Sequence, residues 1–560
     1  MPKDIELFVR CIMLREFIEQ IDKLPQKALV NCLEIDAKKP CIGIISAQNH
    51  ATSAHNYLDD ICKRVKDGIV SSGATAKIAY VSSLDCTAMH GTQTTKYDLP
   101  SRDLTANAVE LICSNNFFDG VVFVATEPNI VCGMLLAAIR LNVPCAFVCQ
   151  GVMSPIVHNH KERGFVHFFE QIAKIKTGKT AYEQLSEIES ILPLALGSDC
   201  ERYGANSFNC ILEATGLAVR GNGTAPSRSV ERNTIAYKTG ELAVQLANDK
   251  CTPRRLLTQS MLCNVVKLDL ACGGSSTTVI NLIAVAKELG IKNLTLKTIG
   301  DMAKSTPLLL FNEDERVCIM SQFHKAGGVF AMLKQLADAS MLKVDVALSE
   351  NTTLSSILQN VEVANTNVIR PADNCVSGSS RLRVLYGNLA EEGCVAQFNG
   401  ENVFTGTAKV YNNEEMAIDA LLHREIRAND VIVIRGEGPK SGPGMREIYT
   451  SLALLQGFDL ENKVAVVTDG RIADFYGGIA VGHVTPETNE DTTFSVLQDG
   501  DEIEINVPKG KITCDIKAKE LAQRFRDNEI GVANYGNFFL KNWAKTCSSA
   551  SEGCVFKVRK

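Results

Sequence analysis

The chain has 560 residues, of which 45% are hydrophobic and 22% charged, so it is long enough for two or three domains with substantial cores. Its 58 Lys and Arg against 64 Asp and Glu give a formal net charge of −6, which offers no general attraction for a phosphate backbone. No stretch approaches the roughly 18 uninterrupted apolar residues of a membrane helix, and acids interrupt the apolar residues at the N-terminus, unlike in a signal peptide. We therefore expect a cytoplasmic protein that binds neither nucleic acid nor a membrane.

The first part of the chain alternates short apolar runs with longer amphipathic segments. Residues 55–73 and 134–143 have apolar side chains at three- and four-residue intervals, which predicts helices. Four apolar runs predict buried strands: CIGIIS (41–46), KIAYVS (77–82), DGVVFVA (119–125) and CAFVCQ (145–150). The alternation, which we follow over residues 35–380, predicts a parallel sheet covered by helices, with residues 150–270 mostly helical.

The pattern changes after about residue 375, where short strands are separated by Gly, Asn and Asp turns. We predict an α/β N-terminal domain over residues 1–375 and a β-rich, barrel-like C-terminal domain over residues 376–560. The sequence contains no long linker, so we expect the two domains to pack directly and to form a ligand site between them.

The composition includes 20 cysteines, which are scattered from Cys11 to Cys554 with no CxxC pair. Local spacing therefore indicates neither a zinc site nor a disulfide framework. Most of these cysteines are expected to be reduced thiols in the core.

Several segments, in order, resemble the dihydroxy-acid and phosphogluconate dehydratase family. The resemblance extends from about residue 40 to residue 525 and is carried by these segments: LPSRDL (99–104), GMLLAAIRLNVPCAFV (133–148), GANSFNCILEATGL (204–217), GGSST (273–277), HKAGG (324–328), EGPKSGPGMRE (437–447), VVTDGR (466–471) and VGHVTPE (481–487). It implies a hydro-lyase that removes water from a small hydroxy acid and forms a homodimer or homotetramer. It also implies a serine base, a magnesium ion, and an iron–sulfur cluster held by three dispersed cysteines.

The family's functional residues are mostly absent at the matching positions. The three cluster cysteines correspond to Ala54, Glu127 and Asp199, although a one-residue shift would bring Cys200 to the third position. Two magnesium-site residues that follow the second cysteine are Pro128 and Asn129 here. The resemblance therefore predicts that the iron–sulfur cluster is lost.

The catalytic serine position is also changed, to Ala473. A histidine near neutrality can act as a base, and we predict His55 for this role. His90 and Gly91 stand in the reverse of the family order, so we do not expect His90 in the site.

Some binding positions of the family are retained. Asp85 and Glu447 remain from the magnesium site and predict a divalent metal such as magnesium, with Glu127 and Asp199 as further candidate ligands. Gly274, Ser275 and Ser276 are predicted to bind the substrate.

These positions leave three hypotheses. The first is a divergent dehydratase-family lyase that acts on a small polar hydroxy acid or sugar acid without the cluster. The second is a catalytically inactive homologue that serves as a binding or regulatory subunit. The third is an iron–sulfur enzyme in which Cys86, Cys132 and Cys200 converge by a new route.

Overall fold

The computed structural model describes residues 23–36, 38–158, 161–179, 189, 197–200, 204–311, 319–398, 400, 403–528 and 537–557. Its first domain contains a parallel four-stranded sheet in the order β2-β1-β3-β4. The strands are β1 Cys41–Ser46, β2 Thr75–Tyr80, β3 Gly120–Val124 and β4 Cys145–Val148. Each overlaps one of the predicted strands, which confirms the parallel sheet.

Position in the sheet explains the sequence of each strand. All residues of β1 and β3 are buried, as expected for central strands that helices cover on both faces. The edge strand β2 is only partly covered, and Ile78 and Tyr80 are exposed.

Helices surround this sheet, and the part of the first domain that follows β4 consists mainly of helices. The sheet is confined to residues 41–148, although we expected the alternation to continue to about residue 380. The longer amphipathic segments beyond β4 have room for helices and form them, apart from a hairpin of β5 Ile156–His158 and β6 Lys161–Arg163. The helices of this half are α1 Leu24–Cys32, α2 Leu58–Ser71, α3 Asp98–Ser114, α4 Pro128–Leu141, α5 Val166–Lys176, α6 Gly204–Ala214, α7 Val230–Asn248, α8 Pro253–Leu256, α9 Gln259–Ala271, α10 Ser276–Leu289, α11 Leu296–Ser305, α12 Met320–Lys325, α13 Gly328–Asp338 and α14 Leu354–Leu358.

The second half is a closed eight-stranded barrel, as the sequence predicts. Its strands follow the order β10-β12-β14-β8-β7-β16-β15-β9 and mix parallel with antiparallel pairs. The strands of this half are β7 Leu382–Gly387, β8 Ala390–Gln397, β9 Val403–Tyr411, β10 Asp430–Ile434, β11 Glu447–Ile448, β12 Ala465–Thr468, β13 Arg471–Ile472, β14 Ile479–Thr485, β15 Glu502–Asn506 and β16 Lys511–Cys514; the short β11 and β13 pair outside the barrel. The helices are α15 Glu414–Leu422, α16 Thr450–Gly457, α17 Ala518–Asp527 and α18 Phe538–Thr546.

Buried polar contacts join the two halves. Lys96 forms an ion pair with Glu437 at 3.1 Å, and both side chains are buried. Arg102 on α3 donates to the carbonyl oxygens of Gly553 and Cys554 at 3.1 and 2.5 Å. The C-terminal segment is thereby held against the first domain.

No helix among the described residues is long and apolar enough to cross a lipid bilayer.

Two glycines allow α2 and α7 to pack at backbone distance. A Cβ on Gly240 would overlap the carbonyl oxygen of Val65, and a Cβ on Gly68 would overlap that of Tyr237. Neither oxygen belongs to a side chain that can turn away, so the two helices would have to separate.

We predict that Gly240→Ala lowers the free energy of unfolding by about 1–3 kcal/mol, because the added methyl group forces the helices apart. Denaturant unfolding would measure this change. Gly378→Ala is the control, since a Cβ there meets no atom within 4 Å. Equal stability of the two variants would contradict the close packing of α2 and α7.

Candidate active site

The loop that carries Ala54 is held by the carboxylate of Asp85. The backbone N–H groups of Ser53 and Ala54 each donate to Asp85 Oδ2 at 3.0 Å, the Ser53 hydroxyl donates at 2.7 Å, and the Thr87 N–H donates to Oδ1 at 2.9 Å. Burial alone would raise the pKa of Asp85, but these hydrogen bonds outweigh it and lower the pKa. Asp85 is therefore an ionised carboxylate whose oxygens bind its own protein.

His55 lies beside the N-terminus of α4. Its Nε2 accepts hydrogen bonds from the backbone N–H groups of Thr126 and Glu127 at 3.2 and 3.3 Å. The ring is completely buried, and burial lowers its pKa to about 4. Since the lone pair of Nε2 already accepts two hydrogen bonds, this geometry does not favour His55 as a base, and that role stays a prediction.

Glu127 lies immediately before α4, at the second former cysteine position. Its side chain makes no capping hydrogen bond to the helix. Burial, followed by the charges of Asp85, Asp98, Glu447 and Asp199, raises its pKa well above the usual range. Three other predicted site carboxyls, Asp85, Asp199 and Glu447, thus act on Glu127, and together with burial they favour its neutral acid form.

Arg471 connects the carboxyls of the two domains. Its guanidinium contacts Asp98, donates to Thr277 Oγ1 at 3.0 Å and lies 3.3 Å from Glu447 Oε2. Burial nevertheless raises the pKa of Glu447 to about 8 against the opposing effect of Arg471. Arg471 is 1% exposed, so its charge is balanced by these carboxyls and not by solvent.

The predicted substrate-binding segment is engaged in structural hydrogen bonds. Ser275 caps α10 by accepting from the Thr278 N–H at 3.2 Å, and the Ser276 hydroxyl donates to the Ile472 carbonyl at 2.7 Å. Gly274 precedes them with a φ of +82°, in the region that favours glycine. Their contact with substrate remains a prediction.

Ala473, at the family's serine position, lies in an apolar cluster. It is 1% exposed and packs in the same hydrophobic core as Phe475, Tyr476 and Tyr449. The segment is paired through its backbone, since the Ala473 N–H donates to the Ile448 carbonyl at 3.2 Å. The side chain itself has no group that accepts a proton.

The carboxyls do not form a recognisable metal site. Within the described ranges, no three His, Cys, Asp or Glu side chains are arranged to hold a metal ion. Asp85, Asp199 and Glu447 each affect the pKa of Glu127, but the binding of a metal by these four carboxyls stays a prediction.

The proposed alternative cluster cysteines have separate surroundings. Arg102 is the charged group with the strongest effect on Cys132, and the Cys200 thiol contacts the Arg163 carbonyl at 3.7 Å. Cys86 instead lies among the site carboxyls. This arrangement does not support a cluster held by Cys86, Cys132 and Cys200.

The structure also places residues near the site that the sequence reasoning did not select. His90 stacks on Tyr449 with 3.9 Å between ring centroids, and Asp98, Asp85 and Arg471 are among the charged groups that affect it. Our expectation that His90 lies elsewhere was wrong, because the reversed order with Gly91 does not move its ring away. The motifs around Asp98 and Arg471 were visible in the sequence, but nothing indicated that these two residues pair.

This geometry is accompanied by a family match over both halves of the chain. Residues 39–357 match the N-terminal model of the dihydroxy-acid/6-phosphogluconate dehydratases, and residues 367–554 match the C-terminal model. The chain belongs to this family. Dehydratases are lyases, so this family member is a lyase-type enzyme.

Similar proteins from three organisms extend over nearly the whole of this dehydratase-family chain. It is 33% identical over 546 residues to the dihydroxy-acid dehydratase of Caldanaerobacter subterraneus subsp. tengcongensis. It is 35% identical over 552 residues to that of Desulfitobacterium hafniense and 33% identical over 545 residues to that of Pyrococcus abyssi. In each case the match includes 96% of this chain and 98% of the relative.

The arrangement offers acid chemistry within the dehydratase-family scaffold. A carboxyl that keeps its proton near neutral pH can donate it to a departing hydroxyl. Glu127 is the candidate for this role, since burial and the charges of four carboxyls raise its pKa.

We predict that the free energy of unfolding falls as the pH rises from 6.5 to 8, and that Glu447→Gln makes this fall shallower. The folded protein keeps the Glu447 proton up to a pKa of about 8, whereas the unfolded chain releases it near 4.5. Raising the pH in this interval therefore favours unfolding. Below about 6.5, His55 and His90 oppose the trend, because they are neutral when folded and charged when unfolded.

Denaturant unfolding at several pH values would measure this slope. Glu391→Gln, at an exposed position on β8, is the control. An unchanged slope in Glu447→Gln would show that Glu447 is not the group that retains the proton.

Proposed function

We propose that this chain removes water from a small polar hydroxy acid or sugar acid, and that it does so without the family's iron–sulfur cluster. The single observation that carries the proposal is the set of interacting carboxyls where the two domains meet, with Glu127 and Asp199 at former thiolate positions. The curated relatives are dihydroxy-acid dehydratases by name, which supports a hydroxy acid as the substrate.

The residues present do not fit an iron–sulfur cluster. Such clusters are held by cysteine thiolates, and the corresponding side chains here are Ala54, Glu127 and Asp199. They do not fit a magnesium site of the expected kind either, since Asp85 accepts hydrogen bonds from its own loop and Glu447 pairs with Arg471. We therefore derive no catalytic step through either group.

In place of a Lewis acid, the chain offers a proton donor. Departure of a hydroxyl group requires that its developing negative charge be neutralised. As the carbon–oxygen bond breaks, Glu127 can donate a proton to the departing oxygen and become a carboxylate. The proton on the adjacent carbon passes to a base, for which His55 stays the prediction, and the electron pair of that carbon–hydrogen bond forms the double bond. In this proposal the elimination depends on the protein's own acid.

A specific observation favours a second candidate, the inactive homologue that binds a ligand or regulates another subunit. Ala473 is buried among aromatic side chains, and no hydroxyl replaces the family's serine there. Loss of both base and cluster is what relaxed selection for catalysis would produce. Measured turnover separates the two candidates.

The oligomeric state is also a proposal. We propose a homodimer or homotetramer with a small-molecule acid as ligand, since the resemblance to the family implies such an assembly. Light scattering of the purified protein would give the number of chains.

Metal content and turnover together test the proposed function. We predict less than about a tenth of an iron per chain in protein purified anaerobically without chelators, with turnover of at least one acid from a panel of dihydroxy and sugar acids. Iron and sulfide near two per chain would contradict the loss of the cluster. Iron-free protein that is stabilised by an acid but turns over none would favour the inactive homologue.

We predict that Glu127→Gln lowers turnover about 100-fold or more, because an amide cannot donate the proton that the leaving hydroxyl needs. Steady-state rates on the acid that the wild type dehydrates would measure the loss. Glu391→Gln is the matched control on an exposed strand position. Glu127→Gln retaining more than half of the activity would remove Glu127 from the mechanism.

A further inference from the structure

The charges around the site pose a problem for an acidic ligand. Among the carboxyls that affect Glu127, Asp85 is ionised, and Arg471 already contacts two others, Asp98 and Glu447. A ligand carboxylate would therefore meet a negative charge and an arginine that is already paired. Binding of an acid therefore needs a further cation.

Arg228 is an exposed cation close to the loops that form the site. It lies in the segment between α6 and α7, and its guanidinium carbon is 3.4 Å from the centroid of the Tyr57 ring. Within the described part of the chain, its guanidinium has no hydrogen bond or ion pair. Its charge is thus held in place by an aromatic ring and is not neutralised by a carboxylate.

The backbone of Arg228 is in an unusual conformation. Its φ is +55°, a region that residues other than glycine rarely adopt and that costs about 1–3 kcal/mol. The side chain at this position has its guanidinium on the Tyr57 ring.

Gln150 connects Tyr57 to the first two former cysteine positions. Its Oε1 accepts from the Tyr57 N–H at 3.0 Å, and its Nε2 donates to the Ser53 carbonyl at 3.1 Å. Its backbone N–H donates to the Thr126 hydroxyl at 3.0 Å. Ser53 and Thr126 immediately precede Ala54 and Glu127 in the chain.

The neighbouring residues connect the Arg228 segment to the third position. The Val152 carbonyl accepts from the Ser227 N–H at 2.8 Å, and the Met153 N–H donates to the Ser198 carbonyl at 2.8 Å. Ser227 and Ser198 each directly precede a residue of interest, Arg228 and Asp199. Arg228 therefore lies beside the loops of all three former cysteine positions.

We propose that Arg228, stacked on Tyr57, binds the carboxylate of the acid that this site accepts; the proposal rests on the proposed function for the identity of the ligand as an acid. A guanidinium stacked on a ring keeps its N–H edge available, and that edge matches the two oxygens of a carboxylate. Arg228 would select acids over neutral polyols, while the carboxyls inside the site act on the hydroxyl groups.

Matched pairs of an acid and its amide test this assignment without requiring turnover. The probes are glycerate with glyceramide and gluconate with gluconamide, with dissociation constants measured by ligand-observed NMR. We expect the wild type to prefer at least one acid over its amide. Arg228→Gln should weaken binding of that acid about tenfold or more and leave the amide unchanged, and Arg228→Lys should restore part of the preference.

Arg424 provides a closely matched control on the other domain. It is also exposed, has a φ of +62°, and stacks on Phe458 at 4.7 Å. Arg424→Gln should leave both affinities unchanged, and thermal unfolding would confirm that each variant folds.

Three results would overturn the assignment: no acid preference in the wild type, the same preference in Arg228→Gln, or equal weakening of acid and amide in that variant. The last result would show that Arg228 only supports its loop. Because these are binding measurements, an enzyme that binds an acid through Arg228 but never dehydrates it would refute the proposed function and leave the assignment intact.

Discussion

The rest of the structure depends on the buried ion pair between Arg471 and Asp98. The arginine lies on the barrel side of the molecule but contacts Asp98 at the start of α3 and Thr277 at the start of α10. Breaking a buried ion pair by removing one partner costs about 3–5 kcal/mol, because a charge is left without compensation. Keeping this arginine paired therefore favours the observed position of the two domains, in which Asp85 from one and Glu447 from the other both affect the pKa of Glu127.

The segments that resemble the family also supply buried contacts of this fold. The glycines and serines of GGSST and the acids of the EGPKSGPGMRE segment are committed to backbone geometry and buried pairs. Such residues are needed whichever reaction the protein performs. At the positions that correspond to the family's cluster cysteines, the chain has Ala54, Glu127 and Asp199 instead.

Much of the fold could be predicted because it follows from local patterns. CIGIIS and the VIVI of DVIVI are apolar runs because both faces of each strand are covered. The change in sequence pattern near residue 375 precedes the first barrel strand, which begins at Leu382. The extent of the sheet was overestimated, since buried helices beyond β4 are as apolar as strands. In the site, Asp85 and Glu447 stay predicted metal ligands, and both affect the pKa of Glu127. The pairing of Asp98 with Arg471 was not predicted, because it joins residues 373 positions apart. No local spacing encodes a contact of that kind, nor the stacking of His90 on Tyr449.

The attachment of the C-terminal segment has a consequence for how the protein is made. Arg102 is fully buried, yet its carbonyl acceptors at Gly553 and Cys554 follow it by 451 and 452 residues. During synthesis, helix α3 leaves the ribosome long before these acceptors exist, so until then Arg102 has only its first-domain partners, Asp103 and Asn281. The packing around Arg102 is therefore completed only after the barrel has been translated, although each domain has its own core.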